Sequence, residues 1–138
     1  MRTFISLIFS VQLLMAQAGK PTVAILDFEG QGVSDGEVQT LSERMRTEIG
    51  NTNAVRLIER KAVEKIMQEQ GLQQSGCTTD ECAAEVGQLL GVQFMISGSI
   101  GKMGKSYTID CKMFSVETGE TVRSKNATHD GDISGLLT

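Results

Sequence analysis

The chain has 138 residues, a formal net charge of −4, one proline, one histidine and no tryptophan. That length holds one domain, and an acidic chain without a basic stripe lacks the electrostatic footprint of a nucleic-acid binder. No linker, repeat or low-complexity tract divides it.

The opening MRTFISLIFSVQLLMAQAGK combines Arg2, an apolar run from Phe4 to Met15 and the small-residue site Ala16-Gln17-Ala18. This is the pattern of a secretory signal peptide, too short to cross a bilayer as a helix, which needs about 20 apolar residues. Residues 1–18 are therefore expected to be a cleaved signal, with residues 19–138 as a single periplasmic or secreted α/β domain. No cysteine follows the small residues, so no lipid anchor is expected.

PTVAILDF (Pro21 to Phe28) is a continuous apolar run, as in a strand buried on both faces, and AVRLIE (Ala54 to Glu59) is a shorter one nearer an edge. Between them Ser34 and Glu37 form a capping box, and Val38, Leu41, Met45 and Ile49 recur at helical spacing. Strand, helix, strand predicts a parallel pair with a right-handed crossover. KAVEKIMQEQG predicts a second helix, with Ala62, Val63, Ile66 and Met67 inward and Gly71 as a left-handed cap.

SGCTTDECAAEVGQLLG (Ser75 to Gly91) predicts a third helix and holds two cysteines. With Thr78 as N-cap and Glu81 as its reciprocal partner, Cys77 precedes the cap and Cys82 is the fourth helical residue, the pair that a hydrophobic staple brings together. A disulfide is the favoured reading; in an oxidising compartment it persists and stabilises by about 2 kcal/mol. Two free thiols, a redox pair and a metal site are the alternatives. Redox pairs normally have two intervening residues, and zinc would need two more ligands where the chain offers only His129 and Cys111. No metal or cofactor is expected. Cys111 shares an alternating face with Tyr107, Ile109 and Met113 and reads as a core thiol rather than an intermolecular bridge.

Beyond Gly91 come three strands, VQFMISGSIGK, SYTIDCKMFSV and TVRSKNATH, joined by the turns Lys102–Lys105 and Glu117–Glu120, with Gly119 expected at positive φ. Placing the two long connections on opposite sides of the first strand predicts a mixed five-stranded sheet of order 2-1-3-4-5, strand 4 antiparallel, with helices on both faces.

Few residues suggest chemistry. SIGKMGKS imitates a phosphate-binding loop, but Ser99 stands where its first glycine belongs and the segment leads into a strand, not a helix. Ser97-Gly98-Ser99 within a strand suggests close approach of a helix, with a partner contact as the alternative reading. His129 has no nucleophile or carboxylate set near it in sequence, and no catalytic residue is assigned. Asp27 and Glu29 end the first strand, where parallel sheets often keep ligand sites, and are the candidate ligand or partner contacts. The competing reading is a strand-end carboxylate bonded to nearby backbone or water.

The segments VAILDFEG, LIERKAVEKIMQEQG, GVQFMISGSIGK and YTIDCKMFSVETGETVRS, spanning almost all of Thr22 to Ser124, resemble the periplasmic domain of the CsgG family, the curli secretion channel, whose relatives include LpoB and the TolB N-terminal domain. The resemblance implies an anticodon-binding-domain-like α/β/α fold serving as a non-enzymatic assembly or partner-binding module in the bacterial envelope. Its implied partners are envelope proteins or further copies of itself, with no nucleic acid and no transmembrane insertion. The interval from Gly101 to Ser106 is too short for a pore-forming hairpin, because one membrane strand takes about 9–11 residues. The alternatives are a cell-wall regulator similar to LpoB, or a ligand binder or enzyme at the Asp27/Glu29 strand end. The resemblance also implies a C-terminal helix, of which DGDISGLLT would be only the start.

Overall fold

A computed structural model of the chain describes residues 19–72, 77 and 79–137. The signal-peptide segment and Thr78 lie outside the described residues. In chain order the elements are β1 (Thr22–Ile25), β2 (Glu29–Gln31), α1 (Asp35–Asn51), β3 (Arg56–Leu57), α2 (Arg60–Glu69), α3 (Asp80–Leu90), β4 (Phe94–Met103), β5 (Ser106–Ser115), β6 (Thr121–Asp130) and a 3-10 turn, Ile133–Leu137. The sheet order β3-β1-β4-β5-β6 is the order that the connections predict, and β5 runs antiparallel to both of its neighbours.

One strand is additional. The apolar run expected to continue to Phe28 leaves regular structure after Ile25, and the chain rejoins the sheet as β2, parallel to the second half of β4. The break comes where Arg46 takes the carbonyl of Ile25 and the Ser42 hydroxyl takes the amide of Phe28, bonds that a continuing ladder would have used. β3 is likewise only two residues of the six expected.

Helices cover both faces, giving the three-layer α/β/α arrangement. On one side α2 and α3 bury Val63, Met67, Ala83 and Val86 against Ala24, Leu26, Met95 and Phe114. On the other, Val38 and Leu41 of α1 cover Val23, Ile25, Phe28, Ile96 and Ile100. Each fully buried aliphatic or aromatic side chain contributes about 1.5–3 kcal/mol, so these two clusters dominate the stability of the fold. Ala62, expected inward, is exposed.

The ends of the helices follow local chemistry. Ser34 and Glu37 form the reciprocal capping box at the start of α1. Gly71 and Gly91 are both at φ 67°, closing α2 and α3 with the left-handed residue that glycine adopts most readily. The cap of α3 is Thr79, one residue later than expected; its hydroxyl accepts from the amide of Cys82, so Cys82 is the third helical residue. Cys77 and Cys82 are joined across a Cα–Cα distance of 5.5 Å, and Cys77 is buried in the α2/α3 cluster.

The glycine that lets a helix sit close to the sheet is not Gly98. A Cβ on Gly87 of α3 would lie 2.6 Å from Val116 and 2.8 Å from Met95. At Gly98 it would meet the Phe28 ring at 2.9 Å and the Asp110 carbonyl, so the close neighbours there are a loop aromatic and an adjacent strand. The 3-10 turn lays Ile133 and Leu136 on the α1 side of the core in place of a regular helix start. β4 and β5 are joined through Gly104 and Lys105 alone. No helix among the described residues is long and apolar enough to cross a membrane.

Candidate functional site

Helices α2 and α3 cover only part of their side of the sheet. Beyond the start of α3 the strands continue, and the side chains on that face become polar. The register is explicit: Ser97 lies opposite Lys112 and Lys112 opposite Ser124, while Ser99 lies opposite Asp110 and Asp110 opposite Asn126. β2 adds Glu29 beside Ser99. Because side chains alternate between faces, these residues share one surface, which they do not share with Ile100 or Ile109. They line a cleft of about 680 Å³, walled at one end by Cys77 and Asp27. Lys112 is tied to the wall, its Nζ 2.5 Å from Asp80 in the first turn of α3.

Asp27 is at the rim but is consumed by the scaffold. Its Oδ1 is 2.6 Å from Arg46 Nη2 and its Oδ2 is 2.7 Å from Arg60 Nη2. Arg46 also donates to the Ile25 carbonyl at 3.0 Å and pairs with Glu43 at 2.7 Å, so its buried guanidinium is held by three acceptors. Glu64 and Glu43 complete the set around Arg60. Burial pulls the pKa of Asp27 up, and the hydrogen bonds and charges of Arg60 and Arg46 outweigh it, holding the carboxyl below its ordinary value of 3.8.

Glu29 is different. It is exposed, lines both the cleft and a second hollow, and has no ion-pair partner among the described residues. The structure thus separates two carboxylates that the sequence presents together: one braces the fold and the other faces solvent. The second hollow, of about 570 Å³, lies on the other side of the same strand end, between α1 and α2, with Arg60 and Glu64 in its wall.

Sequence reasoning missed Arg46 and Ser42. Both sit on the buried face of α1 at helical spacing from Val38, a polar intrusion on an apolar stripe, and that intrusion is the available signal. It also missed the polar floor, whose Ser124 and Asn126 are unremarkable until register places them beside Lys112 and Asp110. Cys111 packs on the opposite, α1 side, half-buried, its thiol pKa raised by burial. No group of three or more His, Cys, Asp or Glu among the described residues is arranged to hold a metal.

The model of one protein family, the peptidoglycan-synthase activator LpoB, matches residues 5–128. The chain belongs to the LpoB family. Solved LpoB domains are similar in fold: the C-terminal domain from Salmonella enterica, at TM-score 0.66 and 17% identity, covers 87% of this chain and 91% of that one. The Escherichia coli C-terminal domain, at 0.68 and 16%, covers 80% and 82%. Lipoprotein GNA1162 from Neisseria meningitidis is as similar in shape at 8% identity, over 80% of each chain. No curated protein matches the chain.

Membership of the LpoB family corrects the assignment to the CsgG family and with it the curli association. The physical reason is that the matching segments are scaffold. Leu57, Ile58, Met67 and Phe114 build the core, and Arg60 of the Ile-Glu-Arg run pairs with Asp27. Residues that make a fold report the fold and not the branch that uses it.

Proposed function

We propose that this protein is a non-enzymatic activator of a peptidoglycan synthase, acting by binding that enzyme in the cell envelope. The observation that carries this reading is the LpoB family match over residues 5–128, nearly the whole chain. The fold agrees with it, since the strand end that an enzyme reading would use has its central carboxylate, Asp27, engaged by two guanidiniums. The envelope location rests on the signal-peptide pattern of residues 1–18.

The test is a purified pairing. The exported protein is added to the peptidoglycan synthase of the same organism, and glycan-strand polymerisation from the lipid-linked precursor is followed with and without it, beside a direct binding measurement. Binding together with a faster polymerisation rate is expected. An unchanged rate and no complex at micromolar concentrations would overturn the reading.

A further inference from the structure

The uncovered half of the sheet on the α2/α3 side is a surface that the scaffold does not explain. Three rows cross it. The innermost is Ser97, Lys112 and Ser124; the middle row is Glu29, Ser99, Asp110 and Asn126; the outer row is Gln31, Gly101, Thr108 and Thr128. Glu29, Gln31, Thr108, Asp110, Ser124, Asn126 and Thr128 are all exposed.

Burial explains why this face does not belong to the core. The opposite face of the same strands carries Ile100, Ile109 and Met113 under α1 and the 3-10 turn, while no apolar residue among those in the three rows would reward a covering helix. Hydroxyl and amide side chains with two acidic groups instead give a surface rich in hydrogen-bond acceptors.

At its centre the available charge is negative. Lys112 is neutralised by Asp80 at 2.5 Å. Glu29 and Asp110, the two carboxylates of the middle row, have no ion-pair partner among the described residues, and Ser99 stands between them in the register. Lys125 borders the cleft from β6, on the edge of the sheet. The centre of the cleft therefore presents two carboxylates about two strand spacings apart, roughly 10 Å, each flanked by a hydroxyl or amide. Two guanidinium or ammonium groups on one partner segment match that spacing, and guanidinium is the better fit, since it binds carboxylate in a fork.

We infer that this face docks a basic segment of a protein partner, with Glu29 and Asp110 as the paired charges and Ser99 and Asn126 as flanking hydrogen-bonding groups. The inference rests on the proposed function in taking the peptidoglycan synthase as that partner. Charge across such a contact steers association and fixes orientation, while the floor of β4, β5 and β6 holds the docking groups rigid.

Two probes test it separately. The first is the synthase, titrated against wild type, the double variant Glu29→Lys/Asp110→Lys, and Glu48→Lys as a control on α1 in the opposite layer, with thermal melts to establish that each variant is folded. The double variant is expected to bind at least tenfold more weakly and Glu48→Lys to bind as wild type does. Raising the salt concentration should weaken wild type more than the double variant. The second probe is an arginine-containing decapeptide followed by amide chemical shifts of this protein alone, expected to move Ser99, Asp110 and Asn126.

The outcomes are distinct. Equal synthase affinity for wild type and double variant overturns the inference and leaves the proposed function standing. If the synthase fails to bind at all but the peptide shifts the middle row, the proposed function falls and the basic-segment docking face stands. Peptide shifts elsewhere or none, or middle-row shifts produced by peptidoglycan fragments and not by the peptide, overturn the inference.

Discussion

Asp27 and Arg46 are 19 residues apart in sequence and meet at 2.6 Å, where β1 ends against the buried face of α1. The pair is closed from the other side by Arg60, so one carboxylate ties β1, α1 and α2 together. Asp27→Ala would leave the buried Arg46 without its main counter-charge. Removing one partner of a buried pair costs about 3–5 kcal/mol, and the partial exposure of Asp27 and Arg60 brings the expected loss to the lower end of that range. Glu29→Ala, a surface change, is expected within about 0.5 kcal/mol of wild type. Urea denaturation of the two variants checks this; similar midpoints would show that the network does not brace the fold.

Acid sensitivity should follow from the same carboxylate. Asp27 titrates lower in the folded protein than its ordinary value of 3.8, so its ion pairs contribute fully above the unfolded value, about pH 4. That contribution is lost as the pH falls through the lowered folded value. Melting temperatures taken from pH 5 downward should therefore fall more steeply for wild type than for Asp27→Asn, whose amide does not titrate. Parallel curves for the two proteins would assign the acid sensitivity to other groups.

Two glycines should respond differently to an added side chain. Gly119, in the turn between β5 and β6, has φ 71° and open space around a Cβ, so Gly119→Val meets backbone strain alone and should cost about 1–2 kcal/mol. Gly98→Ala meets the Phe28 ring at 2.9 Å and the Asp110 carbonyl, and its overpacking should cost roughly 2–3 kcal/mol. The order of the two denaturation midpoints decides between strain and crowding as the larger effect here.

The cysteine pair makes a chemical prediction. Cys77 and Cys82 close a short loop across the start of α3, beside the polar cleft. In protein exported to an oxidising compartment, mass spectrometry without reduction should find Cys111 alkylatable under denaturing conditions, and Cys77 and Cys82 protected. The double variant Cys77→Ser/Cys82→Ser should lose about 2 kcal/mol on the chain-entropy account. Two free thiols at those positions would refute the bond.

Several features set by neighbours in sequence were legible from the sequence alone. The capping box of Ser34 and Glu37, the left-handed Gly71 and Gly119, and the alternation that puts Ile109, Cys111 and Met113 on one face are all local consequences of side-chain chemistry and period. Connection lengths extended that reach to the order of the strands, since long crossovers and tight turns leave few topologies open. The cap of α3 shows the limit of local reading: Thr79 and its neighbour are both competent caps, and the position of Thr79 in the folded chain decides between them. What only the tertiary structure decided were relations across long separations. Asp27 looks like Glu29 in sequence, but Arg46 and Arg60 arrive from two different helices to claim it, while Glu29 is carried onto an open sheet face by β2. The polar floor likewise exists only because register sets Ser99, Asp110 and Asn126 side by side from three strands. The core segments could not distinguish one family branch from another, because what burial and strand pairing require of them is set by the fold and not by the partner.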